Sequence, residues 1–147
     1  MKTAVITGAS GGIGFAIGQK LAALGYQTVL AYNSTPCEDL ENSFAVKCDV
    51  SDFESVENLY NIALEKLGHI DLVVNRAGVA YTDLVQDMSR RQINRVVQTD
   101  LTGTIFSCKF AGGIMARQHF GNIINIASVW GVCGASCEAV YSRAKGG

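Results

Sequence analysis

Hydrophobic positions along the chain alternate between two patterns, short unbroken runs and stripes that return every three or four residues. TAVIT (3–7) is a β-rich run that ends in a glycine cluster. From Ile13 the residues Ile13, Ile17, Leu21 and Leu24 fall on one helical face, and Gly25 is a natural stop. TVLAY (28–32) and FAVKC (44–48) predict the second and third strands. SDFE (51–54) has the spacing of a capping box. It opens a helix with Phe53, Val56, Tyr60, Ala63 and Leu67 inward and Gly68 at its end. IDLVVN (70–75) is a fourth strand, apolar enough to be buried on both faces. One helix begins near Ser89, another runs from about Leu101 to His119, and NIINIAS (122–128) is the fifth strand. Between strands two and three, NSTPCEDLENS (33–43) leaves room for only a helical stub. The order predicts a parallel sheet with helices on both faces, a doubly wound Rossmann-type α/β fold in a single domain over 1–147.

Composition narrows the function classes. With 48% hydrophobic and 17% charged residues, the sequence is that of an ordinary soluble globular domain. A net charge of −1, without long runs of either sign, gives no footprint for nucleic acid or an anionic membrane. No apolar stretch approaches spanning length, and the run before Gly8 is too short for a secretion signal. Cys37, Cys48, Cys108, Cys133 and Cys137 are an odd set, which reads as free thiols in a reducing cytoplasm. His69 and His119 precede strands and read as local hydrogen-bonding groups, so no metal site is assigned. Arg90, Arg91 and Arg95 read as a solvated helix face.

The local chemistry begins at TGASGGIG (7–14), where strand one meets helix one. Glycines there let the backbone approach a pyrophosphate, whose charge then sits on the amide-rich helix N-terminus. Gly8, Gly12 and Gly14 give one spacing, and Gly11 fits a second; taken alone, the cluster could equally be a tight turn. At the end of strand two, an acidic residue would hold the ribose 2′-hydroxyl of NAD. Tyr32, Asn33, Ser34 and Thr35 offer none. Their amide and hydroxyl groups suit a 2′-phosphate, or the loop is simply polar and without preference.

At the far end, YSRAKGG (141–147) places Tyr141 and Lys145 one helical turn apart, on one face. A free phenol titrates near pKa ~10, and a neighbouring ammonium favours the phenolate, which makes the pair a possible proton donor and acceptor.

TGASGGIG, CDVSD (48–52), NRAG (75–78), Ser128 and YSRAK (141–145), in that order, resemble a classical short-chain dehydrogenase/reductase. The resemblance runs the length of the chain and is nearest to the 3-oxoacyl-[acyl-carrier-protein] reductases. The family's extended branch shares the glycine pattern that uses Gly11, whereas NRAG and the Ser128–Tyr141 spacing favour the classical one. The resemblance implies that Tyr141 is the acid/base, Lys145 its modulator and ribose anchor, and Ser128 the hydroxyl that holds the substrate carbonyl. It implies a cofactor lined by Gly8, Ser10, Gly11, Gly12, Ile13, Gly14, Asn33, Asp49, Val50, Arg76, Ala77 and Gly78, with Asp49 and Val50 beside the adenine. NADP(H) is the expected cofactor and NAD(H) the alternative, with a small carbonyl or alcohol substrate and a homo-oligomer in a full-length form.

Two residues depart from the family pattern. Asp100 stands where the family has an Asn of the proton relay, and Arg76 replaces the second Asn of NNAG. With five strands and little chain beyond Lys145, the sequence reads as a C-terminally truncated, N-terminal portion of the family's length. Two expectations follow: a nicotinamide-dependent ketone/alcohol oxidoreductase, or a catalytically silent nucleotide-binding or assembly module derived from one.

Overall fold

The computed structural model describes residues 1–38 and 40–147. Strands β1 (Thr3–Thr7), β2 (Gln27–Tyr32), β3 (Ser43–Lys47), β4 (Leu72–Asn75) and β5 (Asn122–Asn125) form one parallel sheet in the order β3-β2-β1-β4-β5. Val5 lies in register with Val29 and Val73, and its neighbour Ile6 with Leu30 and Val74. Alternation therefore sends Val5, Val29 and Val73 to one face, the valine face, and Ile6, Leu30 and Val74 to the other. Helices α2 (Phe53–Leu67) and α4 (Gly103–Gln118) cover the valine face through Val56, Leu59, Tyr60, Ala63, Ala111 and Ile114. Helix α1 (Gly12–Ala23) covers the opposite face through Ile17 and Leu21. The expected doubly wound α/β architecture is the one observed.

Several local expectations are corrected. Ile17 and Leu21 do face the sheet, but Ile13 and Leu24 are 58% and 61% exposed. Glycines set the buried stripe instead. A Cβ on Gly18 would stand 3.1 Å from Leu30 Cδ2, so the helix lies close along Gly14 and Gly18, and its ends overhang. The cap of α2 is Asp52, which accepts from the Ser55 amide at 3.0 Å; Ser51 is drawn away by the Asp49 carboxylate at 2.7 Å.

The helix at Ser89 and the helix ending at His119 are one continuous run. Ser89 and Gln92 form a capping box at the head of α3 (Arg90–Val96), which passes through a π segment (Val97–Thr102) directly into α4. The wider π turn shifts the phase of the apolar stripe, which is why the sequence reads as two helices. The 33–43 crossover contains no helix among the described residues; residue 39 lies outside them. Its Cys37 and Leu40 instead pack beneath α1. β5 stops at Asn125 rather than 128, and a short α5 (Trp130–Cys133) follows, hidden in the sequence by its flanking turns. Helix α6 (Ala139–Gly146) starts before Tyr141 and is seated by buried Ser142 and Ala144.

Candidate active site

Chain direction across the sheet reverses between β1 and β4, and the crevice there, at the carboxyl ends of the strands, is where doubly wound folds take ligands. Its floor is built by a buried threonine. Thr7 Oγ1 accepts from the amides of Arg76 at 3.1 Å and Ala77 at 3.2 Å, locking the turn after β4 onto the turn after β1. Gly8 makes that approach possible: its φ is +64°, and a Cβ would lie 2.7 Å from Ala77 Cα. Gly14 packs its Cα against the Gly8 carbonyl, which any side chain would strike.

At the head of α1, Gly11 is an N-cap without a side-chain hydrogen bond, and the first turn carries no acidic residue. The first amides of a helix lack intrahelical partners. A Cβ on Gly12 would meet nothing within 4 Å, so this end is open on its outer side. An open, uncapped glycine turn after a strand is the cradle that a dinucleotide pyrophosphate requires, so the residues present fit the nicotinamide cofactor implied by the sequence.

The cleft over this turn has a volume of about 800 Å³. Gly8, Ser10 and Gly11 line it from the first turn, Asn33 from the end of β2, and Asp49 and Val50 from the end of β3. Arg76, Ala77 and Gly78 close it from β4. Gly12, Ile13 and Gly14, named with them from the sequence, form the first turn of α1 and are not among the residues that line the cleft. Arg90, Arg91 and Arg95 are exposed, as expected of a helix face, yet that face is the cleft's far wall. The sequence carried no signal for this, because their placement depends on the unbroken path of α3 into α4.

The second group of site residues lies past Gly78. A Cβ on Gly78 would stand 2.9 Å from Asp100 Oδ2 and 3.4 Å from Lys145 Nζ. Asp100 is buried in the π segment, its Oδ1 accepting from the Val79 amide at 2.8 Å. Lys145 Nζ donates to the Ile126 carbonyl at 3.1 Å and lies 3.7 Å from Asp100 Oδ2. Burial pushes the Asp100 carboxyl above the usual carboxylate range, against the Val79 hydrogen bond and the charges of Lys145 and Arg76.

Tyr141 shares α6 with Lys145, whose ammonium is 5.8 Å from the centre of its ring. Ser128 follows β5; its Oγ accepts from the Trp130 amide at 3.3 Å and its carbonyl from Gly131 at 3.0 Å. Gly131 in turn abuts α6, since a Cβ there would lie 2.6 Å from the Lys145 carbonyl. Ser128 is thus tied to the Tyr141 helix through α5, and no hydrogen bond joins the two side chains among the described residues.

The sequence reading also missed a buried network beneath the site. Tyr60 and Ser107 hydroxyls pair at 2.6 Å, Ser107 donates to Asn75 Oδ1, and Asn75 Nδ2 donates to Asn125 at 2.8 Å. Polar residues inside apolar helical stripes were the available signal.

The sequence matches the short chain dehydrogenase family over residues 2–147. It is 34% identical to an uncharacterized oxidoreductase of Mycobacterium bovis, covering 98% of this chain and 62% of that protein. It is 35% identical to a 3-oxoacyl-[acyl-carrier-protein] reductase of Synechocystis sp., covering 99% of this chain and 63% of the relative. The crystal structure of gox2181 superposes with a TM-score of 0.90 at 28% identity, covering 99% of this chain and 62% of the other. The chain therefore spans a little over three fifths of the length of each of these three proteins. Among the described residues, no helix is long and apolar enough to cross a membrane.

Proposed function

The chain belongs to the short chain dehydrogenase family, and on that premise we propose that it serves an oxidoreductase acting between NADP(H) and a ketone or secondary alcohol. NAD(H) is the second cofactor. A 3-oxoacyl thioester is the proposed substrate class, supported by the similarity to 3-oxoacyl-[acyl-carrier-protein] reductases. The observation that carries this reading is Gly78. It lines the cleft, and a Cβ on it would stand 2.9 Å from Asp100 Oδ2 and 3.4 Å from Lys145 Nζ, which supports reading the cleft and the proton-handling groups as neighbouring parts of one site.

When bound, the nicotinamide supplies the hydride. The glycine turn and the head of α1 would hold the pyrophosphate, and Asp49 and Val50, which line the same cleft, would border the adenine. Ser128 donates a hydrogen bond to the substrate carbonyl, polarising it. Tyr141 delivers the proton to the resulting alkoxide and takes it back in the reverse direction. Lys145, fixed by Ile126 and Asp100, keeps a positive charge beneath that exchange.

A second reading, a silent nucleotide-binding or assembly module, draws on Asp100, whose carboxylate shares Lys145 with the phenol. Following NADPH absorbance with an acetoacetyl thioester decides between them. Turnover that Tyr141→Phe lowers by about 100-fold or more is expected of the enzyme. Saturable NADPH binding with a rate that Tyr141→Phe leaves unchanged would support the module.

A further inference from the structure

In folds of this type the residue at the end of the second strand selects the dinucleotide, an acid holding the ribose 2′-hydroxyl and an arginine the 2′-phosphate. Tyr32 to Thr35 provide neither. The charge comes from elsewhere. From the end of β4, Arg76 reaches over the β1 turn to the head of α1, where a Cβ on Gly11 would lie 2.5 Å from Nη1, 3.0 Å from Cζ and 3.1 Å from Nη2. All three atoms crowd one point, so the guanidinium fills the space that a side chain at residue 11 would take. It fits there only because residue 11 has no side chain.

Among the described residues this guanidinium donates no hydrogen bond and has no carboxylate within 4.0 Å. Its donors are therefore available to a ligand. Asp49 is the only acidic residue on the cleft wall among those described, and its Oδ1 is taken by the amide and hydroxyl of Ser51. Arg90, Arg91 and Arg95 add positive potential from the facing wall. Asn33 and Ser34 line the same cleft at the end of β2.

We infer that Arg76 sets the chain's cofactor preference, its guanidinium receiving the 2′-phosphate of NADP(H) from its seat over Gly11. The inference rests on the cleft being a dinucleotide site. A guanidinium gains a paired, charge-assisted contact from a phosphate and little from a hydroxyl, so the effect falls on NADP(H) alone.

Titrating the full chain with NADPH and NADH, followed by nicotinamide fluorescence, tests it, with circular dichroism to verify the fold of each variant. Arg76→Asn is expected to weaken NADPH by about tenfold or more and NADH by less than about twofold. Equal weakening of both would place Arg76 on the shared pyrophosphate, and no weakening would remove it from the ligand; either overturns the inference. Binding of neither dinucleotide by the unmodified chain would overturn the dinucleotide reading itself, and this inference with it.

A second variant separates charge from shape. Gly11 has φ −83° and ψ 153°, a conformation open to any residue, and Arg76→Asn vacates the space over it. The double variant Gly11→Arg, Arg76→Asn is expected to regain the NADPH preference. If it binds NADPH as weakly as Arg76→Asn alone, the guanidinium's charge is not the determinant and the inference fails.

Discussion

Asp100 places a carboxyl group where burial opposes its charge. Its Oδ1 has the Val79 amide, but Oδ2 has no hydrogen-bond partner among the described residues and only Lys145 at 3.7 Å. Burial keeps its proton on in the folded chain to higher pH than in the unfolded one. The stability this contributes is complete below the ordinary carboxylate value, about pH 4, and is lost as pH rises through the raised one. Asp100→Asn has no such proton to lose. Whatever fixed offset follows from leaving Lys145 to the Ile126 carbonyl, the variant should gain on the parent as pH rises from about 4 toward neutral. Urea midpoints of both proteins across that range check this. A constant gap would mean that Lys145 and Arg76 compensate the carboxylate fully. The identity of residue 100 was legible in the sequence as a departure from the family, whereas its environment was not. The oxygen that Val79 caps and the one that faces Lys145 follow from how the π segment turns.

Between elements, the Tyr60–Ser107–Asn75–Asn125 network joins α2, α4, β4 and β5 under the site. Ser107 is its middle link and is fully enclosed. Ser107→Ala leaves the Tyr60 hydroxyl and the Asn75 carbonyl without this partner in a dry interior. An expected loss of about 1–3 kcal/mol in urea unfolding follows. A loss under about 0.5 kcal/mol would mean that the two neighbours re-pair on their own.

The elements themselves were largely readable, because strand runs and glycine stops are local signals. Failures came where distant parts decide. Gly14 and Gly18 turn α1 so that Ile13 is exposed. Asp49 captures Ser51 and moves the α2 cap to Asp52. The π turn at Val97–Thr102 conceals that α3 and α4 are continuous. Arg76 shows the same limit at the site: the sequence marks it as unusual, and only the topology brings it from β4 to Gly11.

At the scale of the molecule, a parallel sheet with its reversal between β1 and β4 gathers the glycine turn, the β4 turn and α6 at one end. That assembly is the basis for assigning dinucleotide chemistry to this end of the sheet. The most direct test introduces a carboxylate at the head of α1 without harming the fold. Gly12 is the first residue of α1, and its missing Cβ would meet nothing within 4 Å. A glutamate there faces the positive end of the helix, worth about 0.3–1 kcal/mol of added stability. It also places negative charge where the pyrophosphate belongs. Gly12→Glu, titrated with NADPH beside the parent chain and unfolded in urea in parallel, is predicted to be at least as stable while losing binding by about 100-fold or more. A stable Gly12→Glu protein that binds NADPH as tightly as its parent would contradict the placement of the cofactor on this turn.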